Sequence, residues 1–124
     1  MKEKIRTFKT GAKRDKEDGK LDYEGFLSPI VLQKYAEYMH THRWMKDGTY
    51  RESDDWAKGI PKDVYMKSGL RHAMDWWLEH RDFKSRDGII EALCGLLFNA
   101  QGYLYEIIKE DESRKTGKDK KKSK

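Results

Sequence analysis

The segment from Asp87 to Lys109 constrains the fold more than any other part of the chain. Ile89, Leu93, Leu96, Ala100, Tyr103 and Ile107 recur there every three or four residues, the spacing that places side chains on one face of an α-helix. Asp87 stands at its start, where a negative charge suits the positive end of a helix. The pattern predicts a helix from about Asp87 to about Lys109. Such a helix needs other apolar faces to cover its own.

Two further segments supply them. Ser28 is a good N-cap and Pro29 suits a first helical position. Val31, Leu32, Tyr35 and Met39 follow at helical spacing, so a helix is expected from there to about His42. From about Lys62 to His80, Val64, Met66, Leu70, Ala73 and Trp77 form a third apolar stripe. No stretch sustains a two-residue alternation, so no sheet is expected. The fold class read from these patterns is all-α: a small helical bundle of three long helices. A short helix in the connecting loop or a second subunit would complete it. The connection from Arg43 to Pro61 contains Gly48 and Gly59 and is long for a small domain, a length usually tied to function or mobility.

With 36% hydrophobic and 40% charged residues, the core must be small. Four Trp, seven Tyr and four Phe give it bulk. The formal charge of +5 is unevenly placed: residues 1–20 carry +4, residues 113–124 carry +6, and Leu21 to Glu112 carry −5. The basic balance therefore belongs to the ends and is weak ground for a nucleic-acid reader. Three regions follow: a basic arm at 1–20 with Gly11 and Gly19, a helical domain at 21–110, and a lysine-rich end at 111–124. That end reads as a solvated, disordered tail, with weak nonspecific nucleic-acid contact as the alternative.

The lone cysteine, Cys94, rules out an internal disulfide and a multi-cysteine zinc site; within its apolar run it reads as a buried thiol. The charged first 25 residues lack the apolar segment of a signal peptide, and no run approaches the roughly 18 to 20 apolar residues of a membrane span. A cytoplasmic protein with no membrane partner is the expectation.

Arg71, His72 and Asp75 in LRHAMDWW are the strongest candidate cluster, because residues three and four apart share a helix face. An acid, an imidazole and a guanidinium together can hold a metal and a phosphate. A plain ion pair of Arg71 with Asp75 beside a packing histidine is the competing reading. Asp87 and Glu91 lie one turn apart and can bind Mg²⁺ through oxygen, or simply enrich a helix start in acid. Glu37 on the first helix is a further metal candidate, or a partner of Lys34. In the arm, Lys9 to Lys20 is a glycine-containing basic stretch that can wrap phosphate, though it lacks the glycine spacing of a Walker loop. Trp56 and Lys58 could cover a base and a phosphate, or Trp56 could plug the core.

Taken in order, TGAKRDKEDGK, SPIVLQKYAEY, DDWAKGIP and SGLRHAMDWW resemble a phage and bacterial family of dATP/dGTP diphosphohydrolases related to MazG-like pyrophosphohydrolases. The resemblance spans about residues 9 to 108. Thr10, Gly11, Arg14, Asp15 and Lys20 match its N-terminal motif; Trp56, Lys58, Gly59 and Pro61 its loop; Ser68, Leu70, Arg71 and His72 its arginine-histidine helix; Asp87 its closing acid. The chain departs from the pattern at His40 to Trp44, in an insertion at about Met45 to Arg51, and at Asp55 and Gly88. The resemblance implies a MazG-like fold, a homo-oligomer (dimer or tetramer), and hydrolysis of a purine deoxynucleoside triphosphate to monophosphate and pyrophosphate. It implies Mg²⁺, or Mn²⁺ in its place, held by carboxylates on two helices, for which Glu37, Asp75, Asp87 and Glu91 are the candidates. His72, Asp75 and Arg71 would then be catalytic, and Arg14, Asp15, Lys20, Trp56 and Lys58 would hold the substrate. A helical phage accessory protein that binds nucleic acid or a host partner through its basic ends is the alternative, and an inactive nucleotide sensor a third.

Overall fold

In chain order the elements are strands β1 (Ile5–Thr7) and β2 (Lys13–Asp15), helices α1 (Tyr23–Phe26) and α2 (Pro29–Thr41), a 3-10 turn (Asp55–Lys58), and helices α3 (Lys62–His80) and α4 (Ile89–Lys122). The structure, a computed structural model, describes residues 5–15 and 19–122; parts of the predicted arm (1–4, 16–18) and of the predicted tail (123–124) lie outside them. The protein is mostly helical, as expected. Helix α2 starts where Ser28 caps it, its Oγ accepting from the Val31 N–H at 3.3 Å, and α3 has the expected bounds.

Helices α3 and α4 make the main packing contact and run antiparallel. Tyr65 lies against Gly102, Gly69 against Asn99 and His72 against Gly95, while Lys62 bridges to Glu110 at 2.9 Å. The glycines explain the fit. A Cβ at Gly95 would collide with the His72 ring, and one at Gly102 with the Tyr65 ring. Helix α4 thus offers two notches, two turns apart, that receive two rings from α3. Helix α2 packs on α4 more lightly and buries none of its residues. Among the described residues the buried set is small: Tyr65, Ala92 and Cys94, the glycines Gly69, Gly95 and Gly102, and two polar residues, Asp75 and Asn99. The Cys94 thiol is free and buried, as predicted, and burial raises its pKa.

The structure corrects four expectations. First, the arm contains a sheet: β1 and β2 pair antiparallel, with Arg6 opposite Arg14. Strands of three residues are too short to show alternation. They close because Gly11, at φ +90°, takes the left-handed position that ends the turn. Second, the helix begun at Ser28-Pro29 is not the first: the short α1 precedes it, capped by the Asp22 carboxylate on the Gly25 N–H at 2.9 Å. Third, the last helix does not stop near Lys109. It continues to Lys122, helped by Lys115 lying near Asp111 and Glu112 at 3.7 and 3.8 Å.

The fourth correction concerns which face is buried. The stripe predicted to form the core side of α3 is exposed at Val64 (52%), Met66, Leu70 (59%) and Trp77 (57%). The face on α4 carries Tyr65, Gly69, His72 and Asp75 instead, displaced by about one residue because the glycine notches choose the rings. On α4, Ile89 and Ile107 are likewise exposed. Among the described residues, no helix is long and apolar enough to cross a membrane.

Candidate functional site

Between α2, the 3-10 turn and the α3–α4 pair lies a cleft of about 770 Å³, a size typical of sites for small organic ligands. Its walls are aromatic: Tyr35 and Tyr38 from α2, Trp56 from the turn, Phe98 and Tyr105 from α4. Trp56 stands edge-on to Tyr105, with ring centres 4.9 Å apart. The turn is pinned on both sides. Lys58 pairs with Asp55 at 2.9 Å, and the Ile60 N–H donates to Glu106 Oε2 at 3.4 Å. Trp56 is therefore a cleft wall, while Lys58 is engaged by its neighbour.

Two arginines that the sequence reading did not single out reach the same cleft. The segment Met45–Thr49 folds back as a turn, in which Asp47 Oδ1 accepts from both the N–H and the hydroxyl of Thr49. This brings Arg51 beside Arg43: the Arg51 N–H donates to Arg43 O, and Arg43 Nε donates to Arg51 O, each at 2.9 Å. Arg51 Nη2 also donates to His42 O at 2.7 Å, and the Arg43 guanidinium lies over the Tyr50 ring at 4.0 Å. Both guanidinium groups are held in place at the cleft, each a fork suited to phosphate or carboxylate. The turn at Met45–Thr49 is what positions Arg51.

The predicted cluster on α3 divides. His72 is half-buried, lines the cleft and sits in the Gly95 notch. Burial, then the nearby Arg86, lowers its pKa, so its imidazole is neutral at physiological pH. Asp75 is buried and its Oδ2 accepts from Arg86 Nε at 3.1 Å and Nη2 at 2.6 Å. Its partner is Arg86 of the α3–α4 connection, and Arg71 is exposed. Asp75 is an anchor for that connection.

The four predicted metal ligands are not brought together. Asp75 is committed to Arg86. Glu37 is exposed and pairs with Lys34 at 3.2 Å, the ion pair weighed from the sequence. Glu91 faces His42, 3.7 Å from its Nε2. Asp87 is exposed before α4. Among the described residues, no three His, Cys, Asp or Glu side chains gather as a metal site would require. Among the described residues, Glu37, Asp75, Asp87 and Glu91 do not converge on one point. Glu91 instead helps hold Tyr38 protonated: burial and then Glu91 push that hydroxyl up to about 12, and the Tyr38 ring packs on His42 at 4.1 Å.

Arg14 and Asp15 lie on β2, and Lys20 follows; all three are exposed. The hairpin's contacts are chiefly between its own strands, so these residues are not brought to the cleft. No family model, curated protein or solved structure matches the chain.

Proposed function

We propose that the cleft binds a purine deoxynucleoside triphosphate and that the protein hydrolyses it to the monophosphate and pyrophosphate, acting as a homo-oligomer. The observation that carries this reading is the pairing, in one cleft, of aromatic walls with two anchored arginines. A base can stack or wedge among Tyr38, Trp56, Phe98 and Tyr105, while Arg43 and Arg51 meet phosphate oxygens. The ordered resemblance of residues 9 to 108 supplies the reaction. Water attacks the α-phosphorus, the bond to the bridging oxygen breaks, and pyrophosphate leaves. A neutral His72 suits the role of accepting a hydrogen bond from that water. Positioning and charge stabilisation by the arginines do the rest, with no covalent step. Because Glu37, Asp75, Asp87 and Glu91 do not converge, no step is assigned to a resident metal; the substrate is offered as its Mg²⁺ complex, with Mn²⁺ as a substitute.

The test is chromatographic detection of pyrophosphate from each of the four deoxynucleoside triphosphates with Mg²⁺. Product is expected from dATP or dGTP, with a raised KM in Arg51→Ala. No product from any of the four defeats the hydrolytic reading.

One observation favours a second reading. The hairpin presents Lys9, Lys13 and Arg14 on an exposed two-stranded ribbon, a shape and charge that suit nucleic acid. That reading predicts salt-sensitive DNA binding with no turnover.

A further inference from the structure

Asn99 is buried, at 5% exposure, and half of its hydrogen-bonding capacity is unspent. Its Nδ2 donates to Gly95 O at 2.7 Å. Only the nitrogen can donate to a carbonyl, so the orientation of the amide is set and Oδ1 is the free end. No group among the described residues donates to that oxygen. Asn99 lines the cleft where it adjoins a smaller groove of about 350 Å³ between α3 and α4, whose lining gives Oδ1 no donor either. A buried amide left half-paired calls for a reason.

Its place along α4 supplies one. That helix rises about 1.5 Å per residue. Near its start Glu91 faces His42, whose carbonyl holds Arg51, with Arg43 alongside. One turn on, His72 sits in the Gly95 notch. Asn99 follows a turn later, and Tyr105, edge-on to Trp56, lies beyond it. Along the helix axis Asn99 is about 12 Å past Glu91 and about 9 Å short of Tyr105. The order along the cleft is therefore two guanidinium groups, a neutral imidazole, a free amide oxygen and an aromatic pair. A nucleoside triphosphate with its phosphates at Arg43 and Arg51 and its base at Trp56 has its own parts in the same order: outer phosphates, α-phosphorus, sugar, base.

We infer that Asn99 reads the sugar, its Oδ1 accepting the hydrogen bond of the 3′-hydroxyl of a deoxynucleoside triphosphate; this rests on the reading of the cleft as a nucleotide site. The 3′-hydroxyl is the sole O–H on that sugar, because the 5′ oxygen is esterified and the 2′ carbon carries none. The ring oxygen has no proton to give. A ligand without the hydroxyl covers Oδ1 and leaves it unpaired, which is how a buried acceptor selects for its donor. Holding the sugar at Asn99 also sets the α-phosphorus one turn back, beside His72.

Isothermal titration calorimetry on the full chain with Mg²⁺ tests it. The probes are unreactive α,β-imido triphosphates, each purine taken as its 2′-deoxy and its 2′,3′-dideoxy form. The wild-type chain should bind the deoxy form about tenfold tighter or more, and the same ratio is expected for adenine and guanine because the sugar is common to both. In Asn99→Leu, which keeps the volume and removes the acceptor, the deoxy form should fall to the level of the dideoxy form and the ratio should approach one. An Asn99 that only packs α3 on α4 would weaken both forms alike and keep the ratio. Circular dichroism checks the helicity of Asn99→Leu; if that chain does not fold, the wild-type ratio decides alone. Equal wild-type binding of deoxy and dideoxy forms overturns the inference and leaves the nucleotide reading standing, and so does an unchanged ratio in Asn99→Leu. Binding of neither form overturns both.

Discussion

Replacing Arg86 separates two roles for Asp75. Asp75 is 7% exposed and its Oδ2 takes both hydrogen bonds from Arg86. In Arg86→Ala the carboxylate keeps its burial and loses its countercharge. Breaking a fully buried ion pair costs about 3–5 kcal/mol. The Arg86 side chain, however, is 57% exposed, so water partly replaces it and the expected loss falls to about 2 kcal/mol. For a chain of this length that lowers the thermal midpoint by roughly 6–10 °C. Asp75→Asn should cost a similar amount. The double variant should cost clearly less than the sum, because each single variant already breaks the same pair. Urea unfolding at fixed pH and protein concentration, followed by circular dichroism, reads all four corners of the cycle. If Arg86→Ala costs less than about 0.5 kcal/mol, or the two changes add, the anchoring role of Asp75 fails. A stabilisation by Mg²⁺ that vanishes in Asp75→Asn would restore it as a metal ligand.

Gly102→Ala should destabilise by about 1–3 kcal/mol, since its Cβ would occupy the Tyr65 ring's place in a packed contact; a neutral result by urea unfolding contradicts the notch. The neutral His72 makes stability depend on pH. Its folded pKa is lowered, so below the unfolded value of about 6.5 the unfolded chain binds a proton that the folded chain resists. That stability is complete above the unfolded value and is lost as pH falls toward the folded one. Urea midpoints should drop between neutral pH and about pH 5.5, and the drop should shrink in His72→Gln.

The long periodic segments made the helices legible, and Ser28-Pro29 marked the start of α2 to the residue. The direction of the faces was not legible in the same way. Apolar periodicity assigned Met66, Leu70 and Trp77 inward, because a single chain's hydrophobic stripe is normally its core side. The steric fit of Tyr65 and His72 into Gly102 and Gly95 decided the intramolecular face instead, and a glycine pair seven residues apart in an apolar helix was the signal that could have shown it. Trp56 and His72, which line the cleft, were singled out from sequence because each sits in a compact motif. Arg43 and Arg51 were not, since their proximity depends on a turn at Met45–Thr49 set by the Asp47 carboxylate. The acids misled for a related reason: helical spacing puts Asp75 near Arg71, but the partner that reaches it, Arg86, comes from the connection eleven residues away.

The central claim is that a purine deoxynucleotide occupies the cleft between α2, the 3-10 turn and α4. The most direct measurement is a crystal structure of the protein with Mg²⁺ and an unreactive deoxynucleoside triphosphate analogue. The account predicts the base against Trp56 and Tyr105 and the phosphates at Arg43 and Arg51. A ligand bound elsewhere, or a cleft left empty at saturating analogue, would contradict it.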